Sequence, residues 1–158
     1  MQEVRSAVRV WLESKLPGFR VEERFRYDLL SSTRAHRTRI TGDPVRYAEI
    51  LYVPVFSSFS GTMISSQESP FFPAYNFDVF LYLGYRDHED YMQSSQKEWD
   101  ELLEGDGGIL PALRNGVILD VGGKTVILQG LSVDVGLLSL DPANRDLVHT
   151  GRIRLSAG

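Results

Sequence analysis

Residues 117–128, VILDVGGKTVIL, decide how the second half of the chain folds. Their Gly-Gly-Lys-Thr matches the end of a P-loop, G-x-x-x-x-G-K-S/T, in which a phosphate-binding glycine-rich loop opens a helix. The first glycine of that motif would stand at position 118, which is Ile118, and the residues after Thr125 are rich in β-branched side chains. Such side chains disfavour a helix, so the stretch does not predict a nucleotide site.

The same stretch has the pattern of a β-hairpin. Apolar residues recur at every second position before and after Gly122-Gly123, as they do in strands that bury one face. Glycine adopts the positive φ angles of a two-residue hairpin turn at little steric cost. We therefore predict a hairpin that sets Leu119 opposite Val126 and Val117 opposite Leu128.

Helical and strand patterns continue from this hairpin toward both ends of the chain. Apolar residues at helical spacing predict helices over residues 2–16 and 88–105, the second capped by Asp87, and a short helical turn precedes the hairpin at 109–116. Alternating residues predict further strands, at 19–27, 47–56, 75–85, 131–141 and 148–157. Pro54 in the strand at 47–56 indicates an edge position or the end of that strand.

Two of these elements indicate which of their faces is buried. The predicted core face of the strand at 75–85 consists of Phe77, Val79, Leu81 and Leu83. The predicted inner face of the second helix consists of Tyr91, Ser95, Trp99, Leu102 and Leu103. Helices and strands in separate blocks are typical of an α+β fold with a mainly antiparallel sheet. We predict one such domain over residues 1–158, with an N-terminal amphipathic helix, a second helix packed against the sheet, and long loops at about 31–46 and 54–73.

Composition and spacing provide no support for a catalytic, metal or cofactor site. The chain has no cysteine, and its histidines, His36, His88 and His149, lack metal-ligand spacing. It contains no G-x-S-x-G motif for a nucleophilic serine, and the acidic residues 87–90 fit helix capping better than cation binding. No run approaches the roughly 18 apolar residues that span a bilayer. We therefore expect a protein that is not an enzyme and does not contact a membrane.

Charge is distributed unevenly along the chain, although the net charge is only −4. Residues 31–46 are basic and residues 87–106 are strongly acidic, so the basic loop of one subunit could meet the acidic helix of the next, in a head-to-tail contact. Two other interpretations stay open, namely solvated faces and nucleic-acid binding by RAHRTR, residues 34–39. The candidate contact residues are Arg34, Arg37, Arg39, Glu98, Asp100 and Glu101.

The predicted loop at 54–73 is unusual because it is both long and aromatic. Loops of that length are commonly functional or disordered, whereas disordered segments are poor in aromatic residues. The segment could therefore fold over the core of its own chain or rest on a partner. Phe71 and Phe72 are its candidate contact residues.

The order of the elements and their residue patterns resemble those of a known family, the tail terminator proteins of tailed bacteriophages. The resemblance rests on VRVWLESKLPGF (8–19), YNFDVFLYLGYRDHEDYMQSSQKEWDELL (75–103), GILPALRNGVILDVGGKTVIL (108–128) and HTGRIRLSA (149–157). It covers most of the chain. The family has no catalytic or metal motif, so no residue role carries over from it.

The resemblance implies a structural role in the virion, at the head-proximal end of the tail, after assembly in the host cytoplasm. Such proteins form a ring, commonly hexameric, that caps the tail tube, ends its polymerisation and presents a surface for the head or neck. The implied partners are other copies of the chain, the tail tube protein, a neck or head connector protein and, in contractile tails, the sheath. DNA would pass through the lumen without specific binding. We expect inner strands to continue the sheet of the tube by edge pairing.

Three alternative functions remain at this point, one of them the nucleic-acid-binding adaptor that would use the arginines of residues 34–39. The chain could be another neck or head-completion adaptor of the virion, which would leave tube length unaffected. It could also be a small-molecule-binding domain or an enzyme with a novel site, which would need a concave pocket with convergent polar groups.

Overall fold

A computed structural model describes residues 2–24, 45–53, 75–84, 91–141 and 146–158 of the chain. Three helices and six strands lie within these ranges. The helices are α1 (Gln2–Lys15), α2 (Tyr91–Glu104) and α3 (Ile109–Asn115). The strands are β1 (Arg20–Arg24), β2 (Val45–Val53), β3 (Tyr75–Gly84), β4 (Val117–Val121), β5 (Lys124–Asp141) and β6 (Asp146–Ala157).

The six strands form one sheet in the order β1-β2-β3-β6-β5-β4. Strands β1 and β2 are parallel, and every other neighbouring pair is antiparallel. Residues from all three helices join one face of this sheet in a single apolar cluster. The predicted α+β class with a mainly antiparallel sheet is confirmed.

Strand β3 lies near the middle of the sheet because it is apolar on both faces. Its predicted core residues Phe77, Val79, Leu81 and Leu83 are all buried in the cluster that faces the helices. Tyr82 points to the opposite face, where a smaller cluster forms. That smaller cluster consists of Val45, Tyr47, Tyr82 and Val148, with Phe80 packed against it.

The helices bury the faces that their periodicity predicts. Helix α1 turns Val4, Val8 and Leu12 inward at intervals of four residues. Helix α2 buries Trp99 and Leu103 in the same cluster, which confirms the predicted orientation of those two residues. Ser95 is buried as well, and Leu102 is partly buried. The predicted cap at Asp87 lies outside the described residues.

The predicted β4–β5 hairpin is confirmed in both turn and register. Gly122 and Gly123 have φ angles of 58° and 81°, in the left-handed region that favours glycine. The strands pair Leu119 with Val126 and Val117 with Leu128. The Gly123 N–H also donates to the Asp120 carboxylate at 3.1 Å, which closes the turn.

Several predicted boundaries differ from those in the structure. The predicted strand at 131–141 is the second half of β5, which runs unbroken from the hairpin with a bulge between Gly130 and Ser132. Gly130 is small because a Cβ there would lie 3.3 Å from the Leu113 side chain of α3. Residues 45–46, predicted as loop, are strand because they pair with Leu83 and Gly84 of β3. The short helical turn is a seven-residue helix.

Candidate functional site

Strand β5 extends beyond its neighbour β4 and leaves an edge that has no partner strand among the described residues. We call this edge the free edge. Pairing of β4 stops at Val117, opposite Leu128, because the chain turns at Gly116 from α3 into β4. From Gln129 onward, β5 pairs only with β6 among the described residues. The other edge of this part of β5 presents backbone N–H and C=O groups that can receive a further strand.

Four apolar side chains along this free edge are exposed to solvent. They are Leu131 at 60%, Val133 at 41%, Val135 at 63% and Leu137 at 55% exposure. Val133 pairs with the buried Ile153, so it lies on the sheet face that carries the helices, yet none of the described helices covers it fully. We call these four residues the apolar row. Contiguous exposed apolar surface is common at protein interfaces, so the apolar row is a candidate contact surface.

A shallow apolar groove adjoins one end of the apolar row. It has a volume of about 150 Å³ and lies between Leu110 and Leu113 of α3 and Leu131 and Val133 of β5. Pockets for drug-sized ligands span roughly 300–1,000 Å³, so this groove suits a single protein side chain better than a metabolite.

The sheet face opposite the apolar row carries charged side chains from β3, β5 and β6. Asp78, itself buried, accepts from Arg152 Nη2 at 2.5 Å and lies 3.5 Å from Arg154 Nε. One carboxylate therefore faces two guanidinium groups, and positive charge is left over. Asp134, exposed on β5 and paired in register with Arg152, makes no salt bridge to another described residue.

A partly buried polar cluster joins β1 to β2. The Tyr47 hydroxyl lies 2.8 Å from Glu22 and 2.7 Å from Glu49. Arg24 pairs with Glu22, and its Nε lies 3.7 Å from Glu49. The cluster ties the short edge strand β1 to the sheet, since β1 alone buries only Val21.

Burial and these contacts shift the titration of two members of the cluster. Burial, followed by the hydrogen bonds with Glu49 and Glu22, raises the pKa of Tyr47 far above its ordinary value, so its hydroxyl stays protonated and can donate. Burial acts to raise the pKa of Glu22, but the hydrogen bond from Tyr47 and the charges of Arg24 and Arg20 outweigh it. The pKa of Glu22 is therefore lowered, and its carboxylate stays ionised.

Ser95 and His149 form a hydrogen bond that sequence reasoning missed. Ser95 Oγ lies 3.0 Å from His149 Nε2, and the Trp99 ring stacks on the imidazole with 5.7 Å between centroids. A serine beside a histidine is also how a nucleophile is activated. Here Ser95 is fully buried and His149 is 3% exposed, so the pair fastens α2 to β6. The two residues are 54 positions apart, and no local pattern connects them.

The structure describes three of the sequence-predicted contact residues, all on α2. Glu98 forms a two-pronged pair with Arg46 of β2, with contacts of 3.1 and 3.2 Å. Asp100 is exposed and accepts from Gln96 at 2.8 Å, and Glu101 is exposed. The acidic surface of α2 is thus real, but Glu98 already contacts its own chain. Arg34, Arg37, Arg39, Phe71 and Phe72 lie outside the described residues.

The described residues hold no group of three His, Asp or Glu side chains placed to bind a metal ion. None of the described helices has the length and apolar character required to cross a membrane. No protein-family model matches the chain, and no curated protein matches it in sequence.

Proposed function

We propose that the chain is a structural protein of a tailed-phage virion. Copies of it form a ring, a hexamer, that caps the tail tube, ends tube polymerisation and presents a surface for the neck or head connector. The observation that supports this proposal is the free edge of β5 with its apolar row. A protein that works by assembly needs such an edge, whereas a solitary chain gains nothing from four exposed apolar side chains.

The free edge suits contact with the tube in particular. An extended strand added to a sheet edge gains backbone hydrogen bonds, and alternate side chains supply the specificity. Along β5 the alternate residues Val133, Val135 and Leu137 are apolar and on one face. The edge of β5 can therefore continue a sheet of the last tube layer.

Neighbouring copies in the ring would meet through charge. The exposed Asp100 and Glu101 on α2 present an acidic surface, and the basic segment 34–39 of the next copy would meet it head to tail. Tight binding of DNA phosphates by arginines in the lumen would hinder passage of the DNA. We therefore assign the arginines of residues 34–39 to the subunit contact and not to the lumen. The same ring could contact the sheath in a contractile tail.

The proposal is tested by letting tail tube protein polymerise with and without this chain and measuring tube lengths by negative-stain electron microscopy. We expect short, uniformly capped tubes with the wild-type chain and long tubes with Val135→Glu. Val10→Glu is the matched control, because Val10 on α1 is 66% exposed, close to the 63% of Val135. That variant should cap normally.

The alternatives give different results in the same experiment. Tube lengths that the wild-type chain leaves unchanged, with binding to neck protein retained, would identify a head-side adaptor instead. A stable monomer that binds metabolites would favour the small-molecule-binding class. Salt-sensitive DNA binding that is lost when the arginines of 34–39 are replaced would favour a nucleic-acid adaptor.

A further inference from the structure

The apolar row has a sequence that reads with the same pattern in both directions. Residues 131–137 are LSVDVGL, so leucines stand at the ends, valines flank the centre, and Asp134 is the midpoint. Two antiparallel copies of such a segment match each other residue for residue. We propose that, in the free protein, β5 of one copy pairs antiparallel with β5 of a second copy across a two-fold axis at Asp134.

Pairing in this register gives each of the four residues of the apolar row an apolar partner on the other copy. When Asp134 faces its own counterpart, Val133 of one copy lies opposite Val135 of the other, and Leu131 lies opposite Leu137. A slip by two residues would leave one leucine of each copy without an apolar partner, and a slip by one would place polar residues against the row. The contact uses the same patch on both copies, so it closes as a dimer and does not propagate.

Local structure limits the pairing to this segment. The bulge between Gly130 and Ser132 interrupts the regular strand, so the contact ends near Leu131. The groove between α3 and β5 lies beside Leu131, where Leu137 of the second copy arrives in this register. Its volume of about 150 Å³ and its lining by Leu110 and Leu113 suit a leucine side chain.

The register brings the two Asp134 carboxylates together at the axis, so positive charge on that face of the sheet must offset their repulsion. Each copy has surplus positive charge where Arg152 and Arg154 share Asp78, and an Asp134 without a salt bridge to a described residue. Pairing places the two Asp134 carboxylates between the arginine pairs of both copies. Ser132 and Gly136 flank Asp134 on the same face, and their small size leaves room for an arginine to reach across.

The dimer covers the same edge that the tube contact requires, so the two states would compete. A free copy would thereby keep its apolar row out of water until a tube end displaces the second copy. The inference does not depend on the role at the tube, because it concerns the isolated protein.

Disulfide trapping tests the register directly, since the native chain contains no cysteine. Opposite Cα atoms in antiparallel strands are about 4.5–5.5 Å apart, within the roughly 4.4–6.8 Å that a disulfide spans. Asp134→Cys should therefore form a covalent dimer under mild oxidation. Ser132→Cys or Gly136→Cys alone should not, but an equimolar mixture of those two should, and it keeps Asp134 intact.

Sedimentation of the untagged protein supplies the second measurement. Wild-type protein and the control Val10→Glu should sediment as dimers, and Val135→Glu as a monomer with an unchanged circular dichroism spectrum. A wild-type chain that is monomeric at every concentration would overturn the inference. So would cross-linking of Gly136→Cys by itself, which requires another register. Failure of tube capping with the dimer intact would instead count against the proposed function alone.

Discussion

Single residues decide how closely α2 approaches the sheet. Gly151 on β6 lies under Trp99, and a Cβ there would stand 3.0 and 3.1 Å from two ring carbons of that side chain. Real Cβ contacts are rarely so short, so the indole sits in space that only glycine leaves open. His149, two residues earlier on β6, stacks on the same indole and bonds to Ser95.

Gly151→Ala should lower the free energy of unfolding by about 1–3 kcal/mol, because overpacking forces the buried indole or the backbone to shift. Urea unfolding followed by tryptophan fluorescence measures the change. Gly158→Ala is the control, since a Cβ there would meet nothing within 4 Å. Equal effects of the two substitutions would show that Trp99 is not the cause.

Stability should fall as the pH drops below about 6.5, the ordinary pKa of histidine. Burial lowers the pKa of His149, and the charge of Asp100 opposes this only in part. Just below pH 6.5 the histidine is protonated in the unfolded chain but still neutral in the folded one. Stability therefore falls with pH until the pH is also below the pKa of His149 in the folded protein. His149→Gln should flatten the dependence between about pH 5 and 6.5, a range above the titration of most carboxyl groups. The urea midpoint of unfolding is measured across this pH range for both proteins. If it changes with pH by the same amount in both, His149 is not the cause of the pH dependence.

At the scale of elements, the unequal lengths of two paired strands create the candidate site. Strand β4 has five residues and β5 has 18, so most of one edge of β5 has no partner strand among the described residues. The turn at Gly122-Gly123 fixes where the pairing begins, and Gly116 fixes where it ends. An error in the hairpin register would turn the apolar row to the other face of the sheet.

Gly123→Ala should destabilise the protein by about 1–2 kcal/mol, the cost of a left-handed conformation for most L-residues. Gly123→Asn should cost clearly less, because asparagine enters that region more readily. A Cβ at position 123 would meet nothing within 4 Å, so backbone strain and not crowding is measured. Thermal unfolding of both variants checks the order, and an asparagine variant less stable than the alanine variant would contradict it.

On the scale of the whole molecule, the acidic surface and the free edge occupy different elements of the described part of the chain. The acidic surface lies on α2, and the apolar row lies on β5, a strand whose closest helix is α3. The proposed ring contact and the proposed tube contact can therefore be altered by separate substitutions. A net charge of −4 conceals this division, because opposite charges in different places cancel in the sum.

Charge reversal tests the ring contact apart from the tube contact. Replacing Arg34, Arg37 and Arg39 together by glutamate should impair ring formation, because acidic surfaces would then face each other. Adding Asp100→Arg and Glu101→Arg to that variant should restore rings, since the pairing is re-formed with exchanged signs. Rings counted in negative-stain images of each variant mixed with tail tube protein give the readout. Normal assembly of the first variant would remove these arginines from the contact.

The sequence by itself determined the features that depend on neighbours in the chain. Helix α1, the core face of β3 and the register of the β4–β5 hairpin follow from periodicities of 3.6 and 2 and from the freedom of glycine at positive φ. The α+β class follows from the order of these elements. Each of these properties is written in adjacent residues, so no knowledge of distant contacts is needed.

Only the tertiary structure decided which surfaces remain uncovered. Leu131–Leu137 has the alternation of a half-buried strand, yet its apolar side is exposed because the described helices cover this part of β5 only in part. Residues from distant positions also form the Ser95–His149 hydrogen bond and the Arg46–Glu98 ion pair. The pairing that keeps β5 one unbroken strand depends on distant residues in the same way. Burial is a property of the packed whole, since hydrophobic periodicity specifies a face of an element but not the element that will cover it.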